Sequence, residues 1–151
     1  PWFFQEWSRD LLISSKALMM ASEFGLVKKM LLHQLNLILD DGYLLSNKSS
    51  DLMAVDAIGW LFFRLGELIK LGKLSMDELQ LVKSKLTLAI EKLLTYHTKD
   101  DLVYNSDLET WMDTGVNGSK RGGVCIEIQA LRLVMYKLAF KLTKKEVEEI
   151  K

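Results

Sequence analysis

The chain has 151 residues, 49% of them apolar, and its twenty basic and twenty acidic side chains cancel. That suits one domain, residues 1–151, with a substantial core, and leaves no broad positive field to attract a nucleic-acid backbone or an anionic membrane. No run approaches the roughly 18 apolar residues of a membrane span, the opening "PWFFQEWSRD" lacks a signal-peptide pattern, and the single Cys125 fits a reducing, cytoplasmic setting.

In chain order the periodicity predicts helices throughout and no convincing strand. The first runs from about Asp10 to Phe24, with Gly25 as its stop; the second covers about Leu26 to Leu39 and ends at "DDG". The third is capped by Asp51 and reaches about Leu71 before Gly72. Ser75 and Glu78 form a capping box for a fourth helix that extends to Tyr96. A fifth occupies about Val124 to Leu142, and "TKKEVEEIK" reads as a sixth beginning at Thr143. That ending, with the non-methionine start, leads us to expect a piece of a longer chain.

The second and fourth helices carry charged stripes, whereas the third and fifth are apolar around most of their circumference. A helix apolar on every side is expected to be buried on every side. Odd helices inside and even helices outside is the pattern of packed helical hairpins. The unusual polar residues then gather at the leading ends of the odd helices: Arg9 and Asp10, Asp56, and Glu127. Helix N-termini there would present free N–H groups and partial positive charge.

Just ahead of the fifth helix lies "ETWMDTGVNGSKRGG", Glu109 to Gly123, with four glycines in its last nine residues. Its glycines match no phosphate-binding fingerprint, and "DTGVNG" fails as a calcium loop because Val124 stands where glutamate is required. Asp113 is a turn aspartate on the simplest reading. Beside the indole of Trp111 it is also a candidate proton donor, since shielding from water raises a carboxyl pKa. Asp56, within an otherwise apolar helix, needs a partner, and Arg9 or a sugar hydroxyl would serve. His33 and His97 lack metal-ligand spacing and Cys125 has no nearby histidine, so no metal and no cofactor are expected.

Together these blocks resemble the amylo-α-1,6-glucosidase domain of glycogen debranching enzymes. "ETWMD", the loop with Arg121 and then "VCIEIQAL" are similar to that family's principal signature. "WSRDLLIS" (Trp7 to Ser14), "DGYLLSN" and "AVDAIGWLFF" are similar to three further family segments, in the family's order. The resemblance implies an all-α fold, the helical hairpins of an (α/α)6 toroid with about half of the barrel present. It implies hydrolysis of α-1,6-linked glucose at branch points of an α-glucan, with inversion. Asp113 would be the general acid. Glu109 and Trp111 would shape the pocket, Arg9, Asp10 and Asp56 would bind the terminal glucose, and Arg121 and Glu127 would hold the loop or the sugar.

The chain departs from the family pattern at Ser8 and Leu11 and over Leu52-Met53-Ala54. An inverting glycosidase also needs a second carboxylate, roughly 6.5–9.5 Å from the first, to activate water. None is identified in this sequence, so the base is expected outside it. The alternatives are another glucosidase of the same build, glucoamylase-like or trehalase-like, and a non-catalytic carbohydrate-binding or scaffold module. Half a toroid would leave apolar helix faces uncovered, so self-association or packing with the missing half is expected.

Overall fold

The structure, a computed structural model, describes residues 5–47, 51, 53–111 and 121–149. It is all-α apart from one minimal hairpin: α1 (Ser8–Met20), α2 (Phe24–Asn36), α3 (Ala57–Lys70), α4 (Met76–Tyr96), β1 (Thr98–Lys99), β2 (Leu102–Val103) and α5 (Ile126–Glu149).

Side chains that meet across helices give the packing order. Arg9 pairs with Asp56 near the start of α1 and α3, and Lys16 pairs with Glu67 near their ends. Both partners advance along the chain together, so α1 and α3 run parallel. A methyl group added at Gly59 would meet Leu131, and one at Gly66 would meet Leu138, which makes α3 and α5 parallel as well. Lys28 of α2 reaches Glu78 of α4 at 3.0 Å. The short links after α1 and α3 return α2 and α4 antiparallel to them, as in helical hairpins. Contacts join α1 to α3 and α3 to α5, with α2 on α1 and α3, and α4 on α3 and α5. The expected inner row of odd helices backed by even ones is therefore present, with its three leading ends at the same end.

The core follows α3. Ile58, Leu61, Phe62, Leu65 and Leu68 are buried against Leu12 of α1, Leu31 and Leu35 of α2, Val82 and Leu86 of α4, and Met135 of α5. Each fully buried side chain of this size contributes about 1.5–3 kcal/mol. Arg64 is also buried, which its charge would forbid without partners. Its guanidinium donates to the Leu12 and Ile13 carbonyls at 3.0 and 3.2 Å and to Glu67 at 2.8 Å.

The expectation of burial on all sides holds for α3, whose most exposed large apolar side chain is Phe63. It fails for α5. Ile126, Leu133 and Phe140, each seven residues from the next, are 79%, 54% and 70% exposed and form one stripe along the helix.

Several helix ends correct the sequence reading. The first helix stops at Met20, not near Gly25, because Ser22 adopts a left-handed φ of 65°. Its N–H and that of Glu23 then close onto the Met19 and Leu18 carbonyls, a Schellman cap. Gly72 ends α3 in the same way, as its position suggested. Asp51 does not cap α3, which starts six residues later behind Asp56. The capping box of Ser75 and Glu78 is formed. No sixth helix begins at Thr143: α5 continues through it, and the threonine hydroxyl bonds back to the Ala139 carbonyl at 3.0 Å. The β1–β2 hairpin was not foreseen. It turns on Asp100 and Asp101, both at positive φ, the geometry of a two-residue primed turn.

Candidate active site

The heads of α1 and α3 are laced together by backbone. The Ser8 N–H donates to the Ser46 carbonyl and its hydroxyl to the Leu45 carbonyl at 2.7 Å, while the Ala54 N–H donates to Leu44. Ser8, a departure from the family pattern, thus has a local bond of its own. The Val55 N–H donates to the Glu109 carbonyl at 3.0 Å, which brings in the segment that leads to Trp111.

At the junction sits an ion pair. Arg9 Nε donates to both oxygens of Asp56, at 2.9 and 2.6 Å, and Arg9 Nη2 reaches the Glu109 carbonyl at 3.5 Å. The Asp56 carboxylate is almost fully enclosed, with 3% of the side chain exposed, whereas Arg9 retains 13%. Burial pushes the Asp56 carboxyl above its ordinary 3.8; the bond and charge of Arg9 pull it back without cancelling the push, and the charge of Glu127 adds to it. The sequence asked for a partner to Asp56, and Arg9 is that partner.

A second pair stands beside the first. Arg121 Nη2 meets Glu127 Oε1 at 2.7 Å, and the Arg121 guanidinium lies 5.6 Å from the centre of the Trp111 ring. Trp111 is 57% exposed, which fits a platform better than a core residue. Arg121 itself holds a left-handed φ of 51°, as does Leu108 at 66°, a conformation that costs a non-glycine residue energy.

The structure therefore brings together Arg9, Asp56, Glu109, Trp111, Arg121 and Glu127. Asp10, one residue from Arg9 in the first turn of α1, is exposed and takes no part in the pairs just described. Asp113, the expected acid, lies outside the described residues, as do Met112, Gly115 and Gly118. The last two glycines of the loop have distinct roles, one steric and one conformational. A side chain at Gly122 would collide with Asp107, and Gly123, at φ 104°, exchanges two backbone hydrogen bonds with Asn105 at 3.0 and 2.8 Å.

Two supporting residues escaped the sequence reading. Asn105 donates through Nδ2 to the Arg121 carbonyl at 2.8 Å and to the Ser106 carbonyl at 2.9 Å, which ties the two sides of the loop together. Gln129 of α5 bonds both the N–H and the carbonyl of Val103, at 3.0 and 2.8 Å. Gln129 had one available signal: it is a polar residue on an otherwise apolar helix face. Asn105 gave none beyond ordinary turn composition. Among the described residues no three His, Cys, Asp or Glu side chains gather as metal ligands, and no helix is long and apolar enough to cross a membrane.

Comparison with known proteins gives one match. The model of the family described as amylo-alpha-1,6-glucosidase matches residues 1–151, the whole chain, and the chain belongs to that family. No curated protein and no solved structure matches.

Proposed function

From that membership we propose that the chain carries the acid side of an inverting glucosidase site that hydrolyses α-1,6-linked glucose at branch points of an α-glucan. The observation that carries this reading is that the Arg9–Asp56 pair, with Arg9 reaching the Glu109 carbonyl two residues before Trp111, and the Arg121–Glu127 pair, with Arg121 beside the Trp111 ring, gather at one end of the helix row. These residues lie far apart in the chain, yet they meet at the leading ends of parallel helices, where the segment bearing Asp113 departs and returns.

A glycosidic oxygen is a poor leaving group, and Asp113 acts as the general acid that protonates it. Trp111, two residues earlier, offers an exposed indole for the C–H face of a sugar. Arg9, Asp56 and Asp10 supply donors and acceptors for the hydroxyls of the terminal glucose. Glu109, whose carboxylate accepts from the Ser106 N–H at 2.6 Å, shapes the wall, and Arg121 and Glu127 hold the loop. Asp56, Glu109 and Glu127 are each occupied by a donor, which suits positioning better than activation of water. The water-activating carboxylate is supplied from outside this chain. The exposed stripe on α5 supports association through that helix, with a second copy or with further helices of a toroid.

Asp113→Asn in the intact protein tests the assignment. Release of glucose from a dextrin with single α-1,6-linked glucosyl stubs is expected to fall about 10²–10⁴-fold, the usual contribution of a general acid. Unchanged release removes Asp113 from the role. Release of glucose from linear α-1,4 chains in place of the stubs would favour the glucoamylase-like alternative.

A further inference from the structure

Arg121 reaches Glu127 and Trp111 from a backbone conformation that arginine avoids. Its left-handed φ persists only where the surroundings hold it. Asn105 supplies most of that hold. Its Nδ2 donates to the Arg121 carbonyl at 2.8 Å, and its own N–H and carbonyl exchange bonds with Gly123, two residues further on. Cys125 adds a weak thiol bond to the same Arg121 carbonyl at 3.4 Å.

The chemistry of the position calls for asparagine. Two carbonyls, those of Ser106 and Arg121, face the buried side chain, and carbonyls only accept. An NH2 group on a short stem offers two donors, whereas serine offers one and an ionised aspartate none. The second bond also matters to the site. It fixes Ser106, whose N–H holds the Glu109 carboxylate at 2.6 Å, and the Glu109 carbonyl in turn takes the Val55 N–H and Arg9. Asn105 thus stands where the Arg9–Asp56 side and the Arg121–Glu127 side are joined.

We propose that Asn105 is a positioning residue: by holding the Arg121 carbonyl it keeps Arg121 left-handed, and so keeps the guanidinium on Glu127 and beside the Trp111 ring. Without that bond the arginine relaxes to an ordinary conformation and its guanidinium leaves both partners. The placement stands on geometry alone. Its consequence for turnover rests on the glucosidase reading of the site.

The indole N–H resonance of Trp111 tests the placement on the intact protein without any substrate. Asn105→Ala is expected to move it toward its position in Arg121→Met, while that of Trp60, which packs on Phe63, stays. Asn105→Ser, whose hydroxyl donates to one carbonyl at most, should give a smaller movement and serves where alanine fails to fold. An unmoved Trp111 resonance in these variants, or failure of both to fold, overturns the positioning role.

Turnover is the second readout. For glucose release from α-1,6 stubs, kcat/KM is expected to fall about tenfold or more in Asn105→Ala. The same change made in Arg121→Met should cost almost nothing further, because Asn105 acts through Arg121. Losses that multiply mark a separate structural contribution and overturn the proposal. An unchanged kcat/KM in Asn105→Ala, with Asp113→Asn impaired, overturns Asn105 and leaves the glucosidase reading standing. A parent protein that releases no such glucose overturns that reading alone, and the Trp111 resonance then decides on Asn105.

Discussion

Two carboxylates on α3 meet cations from α1 and are treated in opposite ways. Asp56, at the head of the helix pair, is enclosed, and its carboxyl is pushed up in spite of Arg9. Glu67, in the last turn of α3, keeps 24% of its side chain exposed. Partial burial would raise it too, but its bonds from Lys16 and Arg64 win and hold it below the ordinary 4.5. Both are ion pairs on one helix seam, about 16 Å apart along α3 at 1.5 Å per residue. The difference shows what burial does: at the tail the cations outweigh desolvation, and at the head they do not. A carboxylate kept where its charge is disfavoured marks a candidate functional position, a mark that the tail pair does not carry.

The largest expected effect breaks the head pair. Arg9→Met leaves the Asp56 carboxylate enclosed with its cation gone, and loss of one partner from such a pair costs about 3–5 kcal/mol. Lys16→Met at the tail leaves Glu67 with Arg64 and with water, and is expected to cost about 0.2–1 kcal/mol. Urea unfolding of both variants measures this directly. Equal losses would abolish the distinction between head and tail.

Much of this organisation was legible in the sequence, and the parts that were not have physical reasons. Hydrophobic periodicity separated inner from outer helices, and the polar residues at odd-helix starts marked the shared end. Ser75-Met-Asp-Glu announced its own cap because that motif is a purely local bond pattern. The Ser22 cap was not readable, since a left-handed serine violates the preference that makes glycine the default there. Thr143 misled because the same residue that caps a helix also bonds back within one, as it does here to the Ala139 carbonyl. Buried Arg64 was invisible, since its carbonyl partners on α1 are fixed only by tertiary packing. The Arg9–Asp56 pair was foreseen as a possibility because an acid in an apolar helix demands a partner. The role of Asn105 depends on a contact 16 residues away, which no local pattern reveals.

The second effect sharpens the comparison through glycine. Alanine normally gains about 1 kcal/mol over glycine inside a helix. At Gly59, near the head of α3, the added methyl would collide with Leu131 of α5, and overpacking of this kind costs about 1–3 kcal/mol. At Gly66, nearer the tail, the same methyl would meet Leu138 Cδ1 at 3.6 Å, an ordinary contact. Gly59→Ala is therefore expected to destabilise and Gly66→Ala to stabilise. Thermal melts of the two variants with the same sign would show that α3 and α5 do not close more tightly at the head.

The smallest effect is a difference in slope. Glu67 has its folded pKa lowered, so its contribution is present above 4.5 and is lost as pH falls through the folded value. Asp56 has its folded pKa raised, so its contribution is present below 3.8 and is lost as pH rises through the folded value. Glu67→Gln should therefore remove part of the stability that the parent gains between acid and neutral pH. Asp56→Asn should remove part of a loss over the same range, so that its curve climbs more steeply than the parent's. The Glu67 change is expected to stay near or below about 1 kcal/mol, because solvent screens the charges of the more exposed tail pair. Unfolding curves collected from below 3.8 to neutrality resolve the two signs. If Asp56→Asn flattens the curve in the same sense as Glu67→Gln, then Arg9 fully compensates the enclosed carboxylate, and the head of the helix row is no different in kind from its tail.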